Sequence, residues 1–289
     1  YNELFSLKGF NMAIESLLNY RFIKKLKKKN IKIKYFINWW ENQPLDKSLN
    51  FALNKYYKKV KVMGYLGYVP RDLELNIYPF ENEIIAGVIP KTIGVIGKGY
   101  VNIIKKFTKN INIKVYPALR FEHLWNSKIN KNLNNKYIFV PLPILLDESL
   151  EILDFIFKCN IKLDNKITFL IKNHPATAKK HFTTSFKFTN NIFFTDKPTS
   201  DLIHNAQIII SGVSSICMES ISLGIPTLII EKNKCMIFDP IPKELNSDVF
   251  VKINNYEELN KNIIFYMNSN KFNLGSNSFE YKKIKDFYF

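Results

Sequence analysis

The chain has 289 residues, 46% hydrophobic and 23% charged, which is enough apolar material for about two packed domains and too much for a disordered protein. Its formal net charge is +17, yet its arginines are only Arg21, Arg71 and Arg120. Bidentate nucleic-acid readout favours arginine, so the charge reads first as codon bias, next as a basic surface for an anionic membrane leaflet, and last as nucleic-acid binding. The three cysteines, Cys159, Cys217 and Cys235, form no CxxC and the four histidines have no ligand spacing, so neither a disulfide framework nor a zinc site is expected and a reducing cytosol fits. No run of 18 apolar residues offers a membrane span, and there is no signal-peptide pattern. The chain starts at Tyr1 rather than Met, so a fragment lacking an upstream strand or helix is expected.

In chain order, residues 31–38 read as a strand, followed by Trp39-Trp40-Glu41-Asn42-Gln43, and 45–57 as a helix. Strands follow at 61–67, 93–96 and 113–116, with a short helix at 81–87. The Asn/Lys-rich stretch 126–135 reads as a linker. Beyond it, strands at 137–141, 167–172, 192–195, 207–211, 227–231 and 249–253 alternate with helical segments at 147–157, 176–182, 199–204, 215–223 and 256–268. Alternation of this kind predicts parallel sheets with helices on both faces, which bind ligands at the carboxyl ends of their strands. The tail beyond residue 270 is polar and aromatic, and is expected to pack back on the N-terminal domain.

Three strand ends carry candidate chemistry. At the first, Ser211-Gly212-Val213-Ser214-Ser215 runs from a strand into a helix. Gly212 permits a tight turn, and free N–H groups with two hydroxyls make an anion site at the helix start. Glu219 lies one turn further on the face of Ser215, where its carboxylate can accept from a ribose diol; Gly224 and Pro226 close the helix. The same pattern also fits an ordinary helix capped by Ser215 and Gly224 with no ligand.

At the second end, Lys172-Asn173-His174-Pro175 presents an imidazole that can donate to a phosphate or act as an acid, with a lysine charge beside it; a structural histidine is the competing reading. At the third, Glu41 beside two indoles is expected to be partly desolvated and to serve as a base, with Asn42, Gln43 and Asp46 facing sugar hydroxyls; a solvated loop is the alternative. Lys98, between Gly97 and Gly99, reads as part of a flexible turn facing a cleft. Arg120 suits either an anionic ligand or a salt bridge, and Glu81 and Glu83 a solvated helix face. There is no Asp-x-Asp, P-loop or Gly-x-Ser-x-Gly, so no metal-held diphosphate is expected.

KNHP at 172–175, SGVSSICMES at 211–220 and LGIP at 223–226 resemble the C-terminal domain of bacterial GT-B enzymes that make surface polysaccharide. Sialyl-, polysialyl- and Kdo-type transferases with HP and SS motifs are similar in pattern, as are CDP-glycerol glycerophosphotransferases. The stretch from WWENQPLDKSLN to GKGY is similar to bacterial surface-carbohydrate biosynthesis proteins. The resemblance spans roughly residues 35–265.

The resemblance implies two Rossmann-like doubly wound domains with parallel sheets facing a cleft. An acceptor-side domain would occupy 1–130, a nucleotide-sugar-binding domain 131–270 and a tail 271–289. It implies a metal-independent glycosyltransferase with no cofactor, moving a sugar from a nucleotide sugar to a bacterial surface glycan or lipid-linked acceptor, with CMP-linked acid sugars favoured. His174 would bind or protonate the donor phosphate, Ser214 and Ser215 hold it, and Glu219 sit near the ribose. The acidic motif that supplies the base in sialyltransferases is missing, and Glu41 stands in for it. The location implied is cytoplasmic, on the inner membrane face. A sugar-nucleotide epimerase or glycerophosphotransferase on the same fold, and a non-enzymatic basic protein binding polyanions or membrane, stay open as alternatives.

Overall fold

A computed structural model describes residues 7–71, 74–126, 137–160, 163, 167–231, 239–245, 248–268 and 279–289. These cluster into two compact units. The first holds the described residues up to Pro70, Glu74–Arg120 and Phe287–Phe289; the second holds those of Phe121–Asp286, with Arg71. The predicted linker 126–135, apart from residue 126, lies outside the described residues.

The first unit is a sheet of four parallel strands in sequential order: β1 (Tyr35–Trp39), β2 (Lys61–Leu66), β3 (Thr92–Val95) and β4 (Asn112–Val115). Helices α1 (Leu7–Lys28) and α2 (Pro44–Tyr56) pack on each other, burying Ile23, Ala52 and Leu53 in a small core with Val60 and Val62. Helices α3 (Glu81–Ile85) and α4 (Val101–Ile104) are single turns. Along β1 burial alternates, so Tyr35, Ile37 and Trp39 share one face and are 56%, 63% and 46% exposed. That face borders a concavity of about 380 Å³ lined by Tyr35, Ile37, Lys61, Met63, Thr92 and Lys114, among others.

Two segments depart from the sequence reading. The first strand begins at Tyr35 rather than residue 31: after the left-handed Asn30 (φ 54°) the Ile31 N–H still closes back on Leu26 O at 3.1 Å, and pairing with β2 starts only at Tyr35, opposite Lys61. Helix α1 was not anticipated: Ile14, Leu17, Leu18 and Phe22 stay exposed while Ile23 is buried, so its apolar residues mark no single stripe.

The second unit holds six parallel strands: β5 (Tyr137–Pro141), β6 (Thr168–Lys172), β7 (Ile192–Phe194), β8 (Ile208–Ser211), β9 (Thr227–Ile230) and β10 (Phe250–Ile253). Their order is β10-β9-β8-β5-β6-β7, the doubly wound topology. The chain runs outward from β5 through β7, returns to lay β8 against β5, and winds the other way. The crossovers carry α6 (Leu146–Asn160), α7 (Lys180–Thr183), α8 (Thr199–Ile203) and α9 (Ser215–Ser222); α10 (Tyr256–Asn268) follows β10. A short α5 (His123–Asn126) precedes β5, and α11 (Phe279–Tyr288) ends the chain.

Central strands buried on both faces need unbroken apolar runs, and Ile138-Phe139-Val140 and Ile208-Ile209-Ile210 supply them, each residue 0% exposed. At about 1.5–3 kcal/mol per buried aliphatic side chain, this sandwich of sheet and helices is the main stabilising term of the unit. Among the described residues no helix is long and apolar enough to cross a membrane.

Candidate functional site

In a doubly wound sheet the strand order reverses at one place, and the crevice lies outside the carboxyl ends of the two strands that flank it. Here those strands are β5 and β8. The register sets Lys172 level with Pro141, and Ser211 Oγ donates to the Pro141 carbonyl at 3.1 Å. The ends of β8, β5 and β6 therefore form one row, spanning two strand spacings or about 10 Å. The SGVSS turn leaves β8, KNHP leaves β6, and both motifs singled out in the sequence meet at this edge of the sheet.

The turn after β8 is tightly built. Ser214, not Ser215, is the N-cap residue of α9, with extended φ and ψ of −143° and 156°, and its hydroxyl makes no capping bond. The Ser214 Oγ makes no hydrogen bond among the described residues and stands at the helix start, beside the first-turn N–H groups of Ser215 and Ile216. At the other end Gly224 takes φ +69°, Gly224 N–H donates to Ile221 O and Ile225 N–H to Ser220 O, a Schellman closure. Glu219 lies one turn inside α9 and is buried, with its Oε2 2.9 Å from His123 Nε2.

The sequence reading missed a carboxylate here. Glu148, in the first turn of α6, accepts the Val213 N–H at 3.0 Å. A Cβ on Gly212 would strike the Glu148 carboxylate, so glycine at this position lets that carboxylate lie against the turn.

After β6 the loop is rigid. Asn173 Nδ2 donates to the carbonyls of Thr177 (2.7 Å) and His174 (3.3 Å), and Thr177 N–H closes the turn on His174 O at 2.9 Å. The Ala176 N–H donates to His174 Nδ1 at 3.1 Å. An Nδ1 that accepts leaves the hydrogen of a neutral imidazole on Nε2, so the half-exposed ring presents a donor. Lys172 is half-buried at the strand end. Its charge adds to that of Lys179, the main cause, in holding the Asp196 carboxyl below its ordinary range.

The third motif, in the first unit, is arranged differently from expectation. The indoles do not flank Glu41. Trp40 is 0% exposed and packs against Gly64, while Trp39 turns its polar edge to Glu41, its Nε1 donating to Oε1 at 2.7 Å. Neighbouring residues at a strand end point to opposite faces, which separates the two rings. Asp46 ties the loop rather than facing a sugar: its Oδ2 accepts the N–H groups of Glu41 (2.9 Å) and Gln43 (3.1 Å), and Gln43 is the N-cap position of α2.

Asn42 is buried in the left-handed region (φ 56°), with Nδ2 directed at the Glu83 carboxylate at 3.3 Å. Glu81 is exposed, as expected of a solvated face, although its carboxylate accepts from Thr108 Oγ1 and Asn110 Nδ2; Glu83 departs from that expectation, being half-buried and paired with Lys47 at 2.7 Å. Burial pushes the Glu83 carboxyl up, but Lys47, the Phe80 N–H and Asn42 outweigh it and hold the group below its ordinary value.

A depressed folded-state value contributes stability that is present above the unfolded value of about 4.5 and lost as pH falls through the folded one. Lys47→Met is therefore expected to cost under about 1 kcal/mol at pH 7, since the lysine is 37% exposed, and nothing near pH 2. Urea unfolding at both pH values checks this; a cost independent of pH refutes it.

Lys98 is exposed on a 3-10 turn that is packed rather than flexible. A Cβ on Gly97 would strike the Tyr288 backbone and one on Gly99 the Tyr288 ring, against which Tyr100 also packs with ring centroids 5.5 Å apart. Arg120 is exposed, and no salt bridge holds it among the described residues. Cys159 and Cys217 are buried thiols that form no disulfide among the described residues, and burial above all pushes Cys217 up to about 12; Cys235 lies outside the described residues.

No protein-family model matches the chain, and no curated protein matches it in sequence. Solved structures do match. Staphylococcus aureus MnaA, solved with UDP, aligns with TM-score 0.59 at 11% identity, covering 90% of this chain and 74% of that one. A putative UDP-N-acetylglucosamine 2-epimerase from Listeria monocytogenes aligns at 0.57 and 12%, covering 89% and 71%. A glycosyltransferase from Rickettsia africae aligns at 0.56 and 11%, covering 98% and 78%. The likeness shows the fold: the α/β architecture with parallel sheets shared by GT-B glycosyltransferases and UDP-N-acetylglucosamine 2-epimerases.

Proposed function

We propose that this chain is a nucleotide-sugar-utilising enzyme whose reaction is glycosyl transfer. The observation that carries the proposal is the row of donors at the reversal of the second sheet: the Ser214 hydroxyl and first-turn N–H groups of α9 after β8, and the Nε2–H of His174 with Lys172 after β6. Aimed at one edge, they suit a diphosphate whose negative charge grows as the sugar leaves. Glu219 supplies an acceptor for the ribose. In this reading the Gly212–Ser215 turn holds the phosphates and His174 stabilises the leaving oxygen. Glu41 in the first unit, with Oε1 held by Trp39, acts as the base toward the acceptor hydroxyl. A Glu41→Gln variant that binds donor normally and transfers sugar at the wild-type rate removes that last role.

UDP is the first nucleotide to try, because MnaA was solved with it. CMP follows from the resemblance to acid-sugar transferases. A ligand that binds only the folded state adds about 2.7 kcal/mol at a hundredfold excess over Kd. One of the two is expected to raise Tm in the presence of EDTA, and Ser214→Ala to weaken that nucleotide about tenfold by removing one hydrogen bond to a charged group. Indifference of the wild-type protein to every nucleotide sinks the proposal.

The epimerase reading is favoured by the likeness to the Listeria protein. Product analysis separates the two, since an epimerase converts its nucleotide sugar with no acceptor present.

A further inference from the structure

A part-buried acid–imidazole pair stands one turn inside α9 from the Gly212–Ser215 turn of the second unit. Glu219 and His123 are 96 residues apart in sequence and meet at 2.9 Å between Oε2 and Nε2, with side chains 10% and 23% exposed. A carboxylate only accepts, so His123 Nε2 carries the bonding hydrogen whether the ring is neutral or charged. Glu219 Oε1 makes no hydrogen bond among the described residues.

His123 is itself held in place. Its short helix α5 is fastened to α11 by Lys285, whose Nζ donates to Leu124 O at 3.3 Å and lies 5.6 Å from the Trp125 ring centre. The His204 ring meets that of His123 edge-on, with centroids 6.1 Å apart. Burial first, and the charge of His123 second, push His204 down to about 4, so His204 adds no competing cation at neutral pH.

We propose that His123 is a positioning residue for ribose recognition: it fixes Oε2 of Glu219 and leaves Oε1 to accept from the ribose diol. The inference rests on the nucleotide-sugar reading above and deepens it at one site. A glutamate on a helix has three side-chain torsions to freeze, and a fixed donor on one oxygen removes that freedom before the ligand arrives. The geometry also separates the two roles of the crevice. The phosphate donors sit at the start of α9, and the ribose acceptor one turn inside it.

The test measures equilibrium binding of UDP and CMP, each against its 2′-deoxy analogue, by wild type, His123→Ala and His123→Gln, together with Tm of each free protein. Wild type is expected to prefer the ribonucleotide about tenfold. His123→Ala is expected to lose that preference while binding the deoxy analogue as wild type does. His123→Gln, whose amide still offers a donor, is expected to recover most of it. The positioning role is overturned if His123→Ala keeps the preference, if it loses both ligands equally along with Tm, or if wild type binds nucleotide without any ribose preference. Failure of wild type to bind any of the four overturns the nucleotide reading itself, and this inference with it.

Discussion

Replacing His174 by alanine is expected to lower turnover about 100-fold or more while Tm falls by no more than about 4 °C. The stability side follows from the ring's surroundings. It is half-exposed, and its bond with the Ala176 N–H, at 3.1 Å, is a local one. One such bond contributes about 1 kcal/mol, which for a protein of this size moves Tm by about 2–4 °C. The loop itself is held by Asn173 and Thr177, which the substitution leaves in place. The catalytic side follows from the donor on Nε2: a positioned donor or acid at a leaving group contributes about 10²–10⁴ in rate. Steady-state kinetics with a nucleotide-sugar donor, alongside donor affinity, divides the outcomes. A fall in kcat at unchanged donor affinity places His174 at the leaving oxygen; a fall in affinity alone makes it a ground-state contact; no change in either removes it from the site.

The fold was legible in the sequence where a segment's surroundings are uniform. A central strand of a parallel sheet meets apolar atoms on both sides, so Tyr137–Pro141 and Ile208–Ser211 announce themselves as short unbroken apolar runs. The amphipathic Tyr256–Asn268 reads as clearly, with Leu259, Ile263 and Tyr266 buried on one face. The meeting of SGVSS and KNHP was legible because each follows a strand and parallel strands end on one edge of their sheet.

What was hidden is contact between distant residues. Nothing local to His123 points at Glu219, and Glu148 is 65 residues from the Val213 N–H that it accepts. The lysine-flanked glycines Gly97 and Gly99 look like a mobile turn until Tyr288 is packed against them. The misplaced indole at Glu41 is a different error, since the alternation of side chains along a strand already sends Trp39 and Trp40 to opposite faces.

Gly212→Ala is expected to destabilise the protein by about 1–3 kcal/mol, and to do so through Glu148. The added methyl carbon would lie 2.1 Å from Glu148 Oε1 and 2.9 Å from Cδ, so the carboxylate must leave and the Val213 N–H loses its acceptor. Because one contact carries both effects, the two positions are coupled. Glu148→Ala alone forfeits the same hydrogen bond, and once it is made, the methyl at residue 212 has nothing to strike. The double variant is expected to fall short of the sum of the single costs by about 1 kcal/mol or more, measured by urea unfolding. Additive costs reject the coupling.

Glu148→Gln probes the site's electrostatics instead. Its amide oxygen can still accept from Val213 N–H, but the negative charge beside the Gly212–Ser215 turn is gone. If phosphates sit at that turn, nucleotide affinity rises several-fold at low salt and the gain shrinks as salt is added. A variant that binds nucleotide no better than wild type at low salt would mean that the phosphates lie elsewhere along the edge, nearer Lys172 and His174.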